Sequence, residues 1–193
     1  MVLGQGHVPP RRRGRVYRGG RTEFTSFKDD VNCVRTAIAQ VGTPVVLCGH
    51  SYGGAVITEA GNEPMVGQLV YLCAFAVAEG YSTAHPADQP LPRTGLPVGL
   101  HVAEDGIATF DVILARDTFY GDCEPADVEL ARRRLRPRAA DGLTAPVTQA
   151  AWRNVPLYAV CTNPADRRCR PTSHSHYKVV LMISTRFPSG SLK

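Results

Sequence analysis

The sequence has no apolar run long enough to cross a bilayer: the longest, Leu69 to Ala78, falls far short of the roughly 20 residues a spanning helix needs. The N-terminus also lacks the apolar block of a secretory signal, so neither a membrane partner nor export is expected. A phosphate loop and a dinucleotide fingerprint are both missing, because "GHSYGG" (49–54) has neither the lysine and spacing of the first nor the glycine pattern of the second. No cofactor is expected. Internal repeats are absent. Closely paired cysteines are absent too: residues 33, 48, 73, 123, 161 and 169 are scattered. Cys48, Cys73 and Cys161 fall within or at the end of apolar runs, where a buried thiol packs well, and a reduced, cytoplasmic protein is the expectation. Cys161, Cys169, His174 and His176 suit zinc by residue type, but structural zinc sites space their paired cysteines roughly two to four apart, so no metal is expected.

Acidic side chains are missing from residues 1–22, which hold six arginines, and residues 166–193 carry six basic groups against one Asp. Residues 23–165 are left with ten basic and sixteen acidic side chains, so the formal charge of +5 resides in the two ends. The cluster "RRRGRVYRGGR" (11–21) is of the kind that contacts phosphate backbones, and an arm binding nucleic acid is a remote alternative. Against it, the core is acidic and only Tyr17 interleaves the arginines; a solvated, disordered tail over 1–22 with no nucleic-acid partner is the expectation.

What remains is ordinary globular composition: 193 residues, 44% hydrophobic and 20% charged, enough for one domain with a sizeable core. Phe27, Val31, Val34, Ile38 and Val41 recur at spacings of four and three, behind Ser26 and Asp29 in the form of a capping box, and predict a helix of about 14 residues. Gly42-Thr43-Pro44 ends it. Val45 to Cys48 and Leu69 to Ala74 read as strands buried on both faces, joined through a helix over Ala55–Gly61. That order is a right-handed crossover unit, and it places the chain in the α/β class. Residues 79–100 form an excursion rich in Pro and Gly, followed by helical stretches near Phe110–Phe119 and Pro125–Leu135; together they make a helical cap over about 79–150. Leu157 to Cys161 returns to the buried-strand pattern. Beyond Asp166 only "KVVLMIS" (178–184) resembles a strand.

Gly49-His50-Ser51-Tyr52-Gly53 matches G-x-S-x-G, in which a serine sits on a sharp turn from strand to helix. Glycines are needed two residues either side because neighbouring Cβ atoms would clash, and Gly54 lets helix and strand approach. Such a turn exposes the hydroxyl at the carboxyl edge of the sheet, beside a helix N-terminus that favours developing negative charge. Ser51 is the candidate nucleophile and the Tyr52 N–H a candidate oxyanion donor.

"VVLCGHSYGGAVITEAG" followed by "LVYLCAFAVAEG" resembles the alpha/beta-hydrolase superfamily, in particular small bacterial esterase-like members related to the plant methylesterase and hydroxynitrile-lyase group. The similarity runs from about Phe24 to about Thr162 and includes "FYGDCEPADVELARRRLRP" and "AAWRNVPLYAVCT". It implies an abbreviated alpha/beta-hydrolase fold, a mostly parallel sheet flanked by helices with a helical cap. By the same resemblance Asp166, in Asn163-Pro164-Ala165-Asp166-Arg167, is the catalytic acid, with Glu79 as the fallback. His174, in Thr172-Ser173-His174-Ser175, is the base, with His176 behind it; it follows the acid by only eight residues, where the family normally inserts a helix and a strand. His50, Phe75 and Phe119 are expected to line the substrate site, with His85 and His101 able to reach the cleft and Leu91, Leu96, Val98 and Phe110 adding apolar surface.

The family's first strand ends in His-Gly and is followed by two more strands; "LGQGH" (3–7) is all that matches here, which leaves an edge of the sheet exposed. The expected division is therefore a basic tail (1–22), a hydrolase core (23–165) and a divergent C-terminal segment (166–193), truncated or altered at both ends. The function implied is a serine hydrolase of carboxylesterase type acting on a small ester. The alternative is a hydrolase-fold protein that is catalytically inactive or incomplete.

Overall fold

The computed structural model describes residues 18–19, 24–85, 96–121, 123–160 and 182–184. Its centre is a sheet in which strands β2 (Val45–Ser51), β3 (Val66–Ala74) and β7 (Leu157–Val160) run parallel. Beside β2 lies β8 (Met182–Ser184), antiparallel to it, and beyond that β1 (Arg18–Gly19), giving the order β1-β8-β2-β3-β7. The edge expected to be exposed is thus paired at Val46–Cys48. Arg18–Gly19, inside the segment expected to be a tail, belongs to the sheet through its pairing with Ile183 and Met182.

Helix α1 (Phe27–Val41) forms as its periodicity predicts. Ser26 caps it, accepting from the Asp29 N–H at 3.0 Å and donating back to the Asp29 carboxylate at 2.8 Å. Gly42 ends it in the left-handed conformation at φ 67°. Its apolar face, Val31, Val34 and Ile38, is buried, each side chain worth about 1.5–3 kcal/mol. Helix α2 (Gly53–Ala60) is buried at every residue, Thr58 and Glu59 included, and it packs between β2 and α1. It starts two residues earlier than the pattern suggested because the turn at Ser51 leads directly into it.

Two buried polar residues hold this layer together. Thr58 donates to the Gly54 carbonyl at 2.7 Å and accepts from the Tyr71 hydroxyl at 2.8 Å; burial pushes the Tyr71 phenol up to about 12, so it remains a donor. Glu59 accepts from the Thr148 N–H (2.7 Å) and hydroxyl (2.6 Å) and from the Gln149 N–H (3.3 Å), tying α2 to the end of the cap.

The cap contains more than helices. Besides α3 (Leu96–Gly99), α4 (Ala115–Phe119), α5 (Pro125–Arg132) and α6 (Asp141–Thr144), it has a small antiparallel sheet of β4 (Leu100–Val102), β5 (Ile107–Phe110) and β6 (Arg138–Ala139). The helix expected near Phe110–Phe119 is split accordingly. Asp111 turns the chain by accepting the Ile113 N–H at 2.7 Å, so that Phe110 ends a strand and α4 begins only at Ala115. The cap returns to the core through a 3-10 turn at Ala151–Arg153, where Glu79 accepts the Ala150 N–H at 3.0 Å and pairs with Arg153 at 2.8 Å.

Candidate active site

β2 carries Ser51 to the carboxyl edge of the parallel strands, and α2 begins two residues later. Ser51 has φ 51°, a left-handed conformation that costs a non-glycine residue about 1–3 kcal/mol and persists only where packing over-determines it. Two features supply that packing. A Cβ on Gly49 would collide with the carbonyl of Gly53 and lie 2.9 Å from the Gly54 nitrogen, and one on Gly54 would lie 2.6 Å from the Phe75 oxygen. In addition, the Ser51 carbonyl accepts the Phe75 N–H at 3.2 Å, just past a register shift in which Ser51 faces Ala74. The strand-to-helix turn read from the glycines is therefore formed, with Gly49 and Gly54 each at a contact that excludes a side chain.

Tyr52 follows in the right-handed helical conformation, and Ala55 and Val56 donate to its carbonyl. The N–H groups ahead of Ala55 consequently open toward the turn, since the donors that begin an α-helix lack intrahelical partners. Together with the Ser51 hydroxyl they form an arrangement that can attack a carbonyl and receive the charge that develops on its oxygen.

His50 is half-buried on β2 opposite Leu72, and Phe75 immediately follows β3, so both accompany Ser51. Phe119 belongs to the cap: it ends α4 and packs on Phe110, with ring centroids 4.5 Å apart, in a second cluster with Ala115, Tyr120 and Val128. Glu79 is engaged by Ala150 and Arg153, and these bonds hold its carboxyl below the usual carboxylate range, the Ala150 N–H contributing most. His85 and His101 are exposed, as is Val98. Asp166, His174 and His176 lie outside the described residues. Among the described residues no group of His, Cys, Asp or Glu could hold a metal ion, and no helix is long and apolar enough to cross a membrane.

A sequence profile described as the alpha/beta hydrolase family matches residues 2–188. The chain belongs to the alpha/beta hydrolase family. An alpha/beta hydrolase of Aspergillus novofumigatus, nvfD, is 33% identical over 150 residues, covering 70% of this chain and 59% of its own. An extracellular alpha/beta-hydrolase from a Paenibacillus species superposes with a TM-score of 0.58 at 23% identity, covering 70% and 58% of the two chains; its description reports structural and functional homology to tobacco salicylic acid binding protein 2. The pyrethroid hydrolase PytH superposes with a TM-score of 0.55 at 19% identity, covering 70% and 57%. The chain thus spans a little under three fifths of the length of these relatives.

Among alpha/beta hydrolase sites this one contains residues that no motif announces. The Tyr52 side chain is buried, and its hydroxyl donates to Asp30 Oδ2 at 2.7 Å; Asp30 Oδ1 accepts the Phe24 N–H at 3.2 Å. The Arg138 guanidinium lies 4.1 Å from the centroid of the Tyr52 ring. Burial pushes the Asp30 carboxyl up, opposed by the Tyr52 and Phe24 hydrogen bonds and the Arg138 charge, while burial and then the Asp30 charge raise the Tyr52 phenol. The sequence holds one clue: Asp30 interrupts the apolar face of α1, three residues after Phe27 and four before Val34. Nothing local marks Arg138.

Proposed function

We propose that the chain is a serine hydrolase of carboxylesterase type, with Ser51 as nucleophile. The observation that carries this reading is the strained turn at Ser51, φ 51°, between a parallel strand and a buried helix. A serine without a catalytic task gains nothing from a conformation that glycine adopts freely. Attack by the Ser51 hydroxyl oxygen on an ester carbonyl forms a C–O bond and passes the proton to a base, for which His174 is proposed, with Asp166 holding the imidazole. The Tyr52 N–H stabilises the oxyanion. Collapse breaks the bond to the alcohol, which leaves with the proton from the base; water then enters by the reverse sequence and releases the acid. No cofactor enters these steps.

The substrate is proposed to be a small ester lying against His50 and Phe75, with Phe119 contributing from the cap. The scattered cysteines support a reduced, cytoplasmic setting, and the division into tail, core with cap, and C-terminal segment is kept as part of the reading. A panel of p-nitrophenyl esters tests it: hydrolysis abolished by Ser51→Ala and by His174→Ala is expected. Hydrolysis that survives Ser51→Ala rules the mechanism out, and a folded protein with no activity on any ester leaves the inactive scaffold as the better account.

A further inference from the structure

The proposed reaction uses the main chain of Tyr52 but has no task for its side chain, nor for the buried carboxylate it meets. Tyr52 is 4% exposed and Asp30 1%. Apolar side chains at positions 30 and 52 would fill the same space without taking a carboxylate out of water, which is costly unless the charge is fully bonded. Here it is bonded: Tyr52 and Phe24 supply the two donors to Asp30. Phe27 stands edge-on to the Tyr52 ring with centroids 6.3 Å apart, and Arg138 covers the ring face at 4.1 Å while also lying 5.2 Å from the Phe24 ring. The space for this stack exists because residue 142 has no side chain; a Cβ there would collide with Arg138 Nη2 and lie 3.0 Å from the Tyr52 hydroxyl.

The groups gripping Tyr52 come from separate parts of the fold. Asp30 belongs to α1, which is fixed in the core. Arg138 belongs to β6, and through β5 to the cap sheet. What they grip is the residue directly after Ser51, whose N–H is the proposed oxyanion donor. We propose that Asp30 and Arg138 are positioning residues for the nucleophile turn: by fixing the Tyr52 ring from the core side and the cap side, they hold the Ser51 and Tyr52 backbone in the reactive arrangement and couple it to the seating of the cap. The inference rests on the reading of Ser51 as nucleophile.

The test compares Tyr52→Phe, Asp30→Asn, their double variant, Arg138→Met and Arg138→Lys with wild type, and uses Glu129→Ala on the exposed face of α5 as a control. Each is assayed for kcat and KM on p-nitrophenyl acetate, for the rate of fluorophosphonate labelling per folded molecule, and for Tm. Tyr52→Phe and Arg138→Met are expected to lower kcat and labelling rate together by about tenfold or more with KM nearly unchanged, the signature of lost transition-state stabilisation. Arg138→Lys recovers part of the loss, and the double variant is no slower than the slower single because hydroxyl and carboxylate share one bond. Variants that lower Tm but react at the wild-type rate per folded molecule overturn the proposal, as does a change confined to KM. Should Tyr52→Phe fail to fold, Arg138→Met decides on the same criteria. A wild type that is not labelled at all overturns the nucleophile reading itself, and this inference with it.

Discussion

Replacing Gly54 by alanine separates two effects that ordinarily work together. Alanine is the better helix former by about 1 kcal/mol, so propensity alone predicts a more stable α2. The local contacts predict the opposite. The new Cβ would lie 2.6 Å from the Phe75 oxygen, 2.7 Å from the Phe75 nitrogen and 2.8 Å from the Ala74 Cβ, against 3.4 Å for the start of ordinary contact. Two of these neighbours are backbone atoms that cannot swing aside, so α2 must retreat from the end of β3 by about 0.8 Å. Overpacking of this kind costs roughly 1–3 kcal/mol, which leaves a net loss of about 0–2 kcal/mol and a fall in Tm of at most about 8 °C. The retreat carries the Tyr52 N–H with it, and misplacement by ~1 Å costs on the order of 100-fold in rate. The assay is the rate of fluorophosphonate labelling per folded molecule beside a thermal melt. Gly42→Ala is the matched control: its φ of 67° strains any side chain, yet nothing lies within 4 Å, so stability falls while the rate holds. Gly54→Ala labelled at the wild-type rate with a raised Tm would refute the reasoning.

Ser51→Gly should abolish labelling yet raise Tm by several degrees, because glycine adopts φ 51° without the penalty of about 1–3 kcal/mol; a Tm equal to that of Ser51→Ala would show that the turn stores no strain. Glu59→Ala leaves the Thr148 and Gln149 donors without their carboxylate and should destabilise the protein by on the order of 3 kcal/mol in a denaturant titration, whereas a loss under 1 kcal/mol would deny it a structural role. Glu79 has its carboxyl held below the ordinary glutamate value of 4.5, chiefly by the Ala150 N–H and then by Arg153. A depressed acid stabilises fully above its unfolded pKa, so the Glu79 contribution should be intact above pH 4.5 and fade as pH falls through the lower folded value. The protection of the Ala150 amide against hydrogen exchange, its rate divided by the intrinsic rate at each pH, should fall over that acid range in wild type and be already low and flat with pH in Glu79→Gln; identical profiles would contradict the assignment.

The features legible in the sequence are those decided by near neighbours along the chain. The spacing of Phe27, Val31, Val34 and Ile38 and the cap at Ser26 specify α1 because its buried face and its end are both local. The turn at Ser51 is legible for the same reason: the space that requires glycine at position 49 is taken by the backbone of Gly53 and Gly54, within six residues. The cap sheet is harder to read, because β5 alternates over only four residues, exposed, buried, exposed and half-buried, which a helix end can imitate. The pairing of β8 with β2 is illegible locally, since three residues far along the chain fill a place beside Val46–Cys48 that no pattern assigns to them. Arg138 is invisible for the same reason: its partner is a ring brought to it only by folding. Asp30 was open to notice, as a charge on an apolar helix face usually has a buried partner.

The central claim is that Ser51 is a nucleophile made reactive by its turn. Treatment of the folded protein with a fluorophosphonate, followed by mass spectrometry of the peptides with Ser51→Ala as control, tests it most directly. The account predicts a single stoichiometric adduct on Ser51, absent from the variant; a folded protein that takes up no probe, or takes it up on another residue, would contradict it.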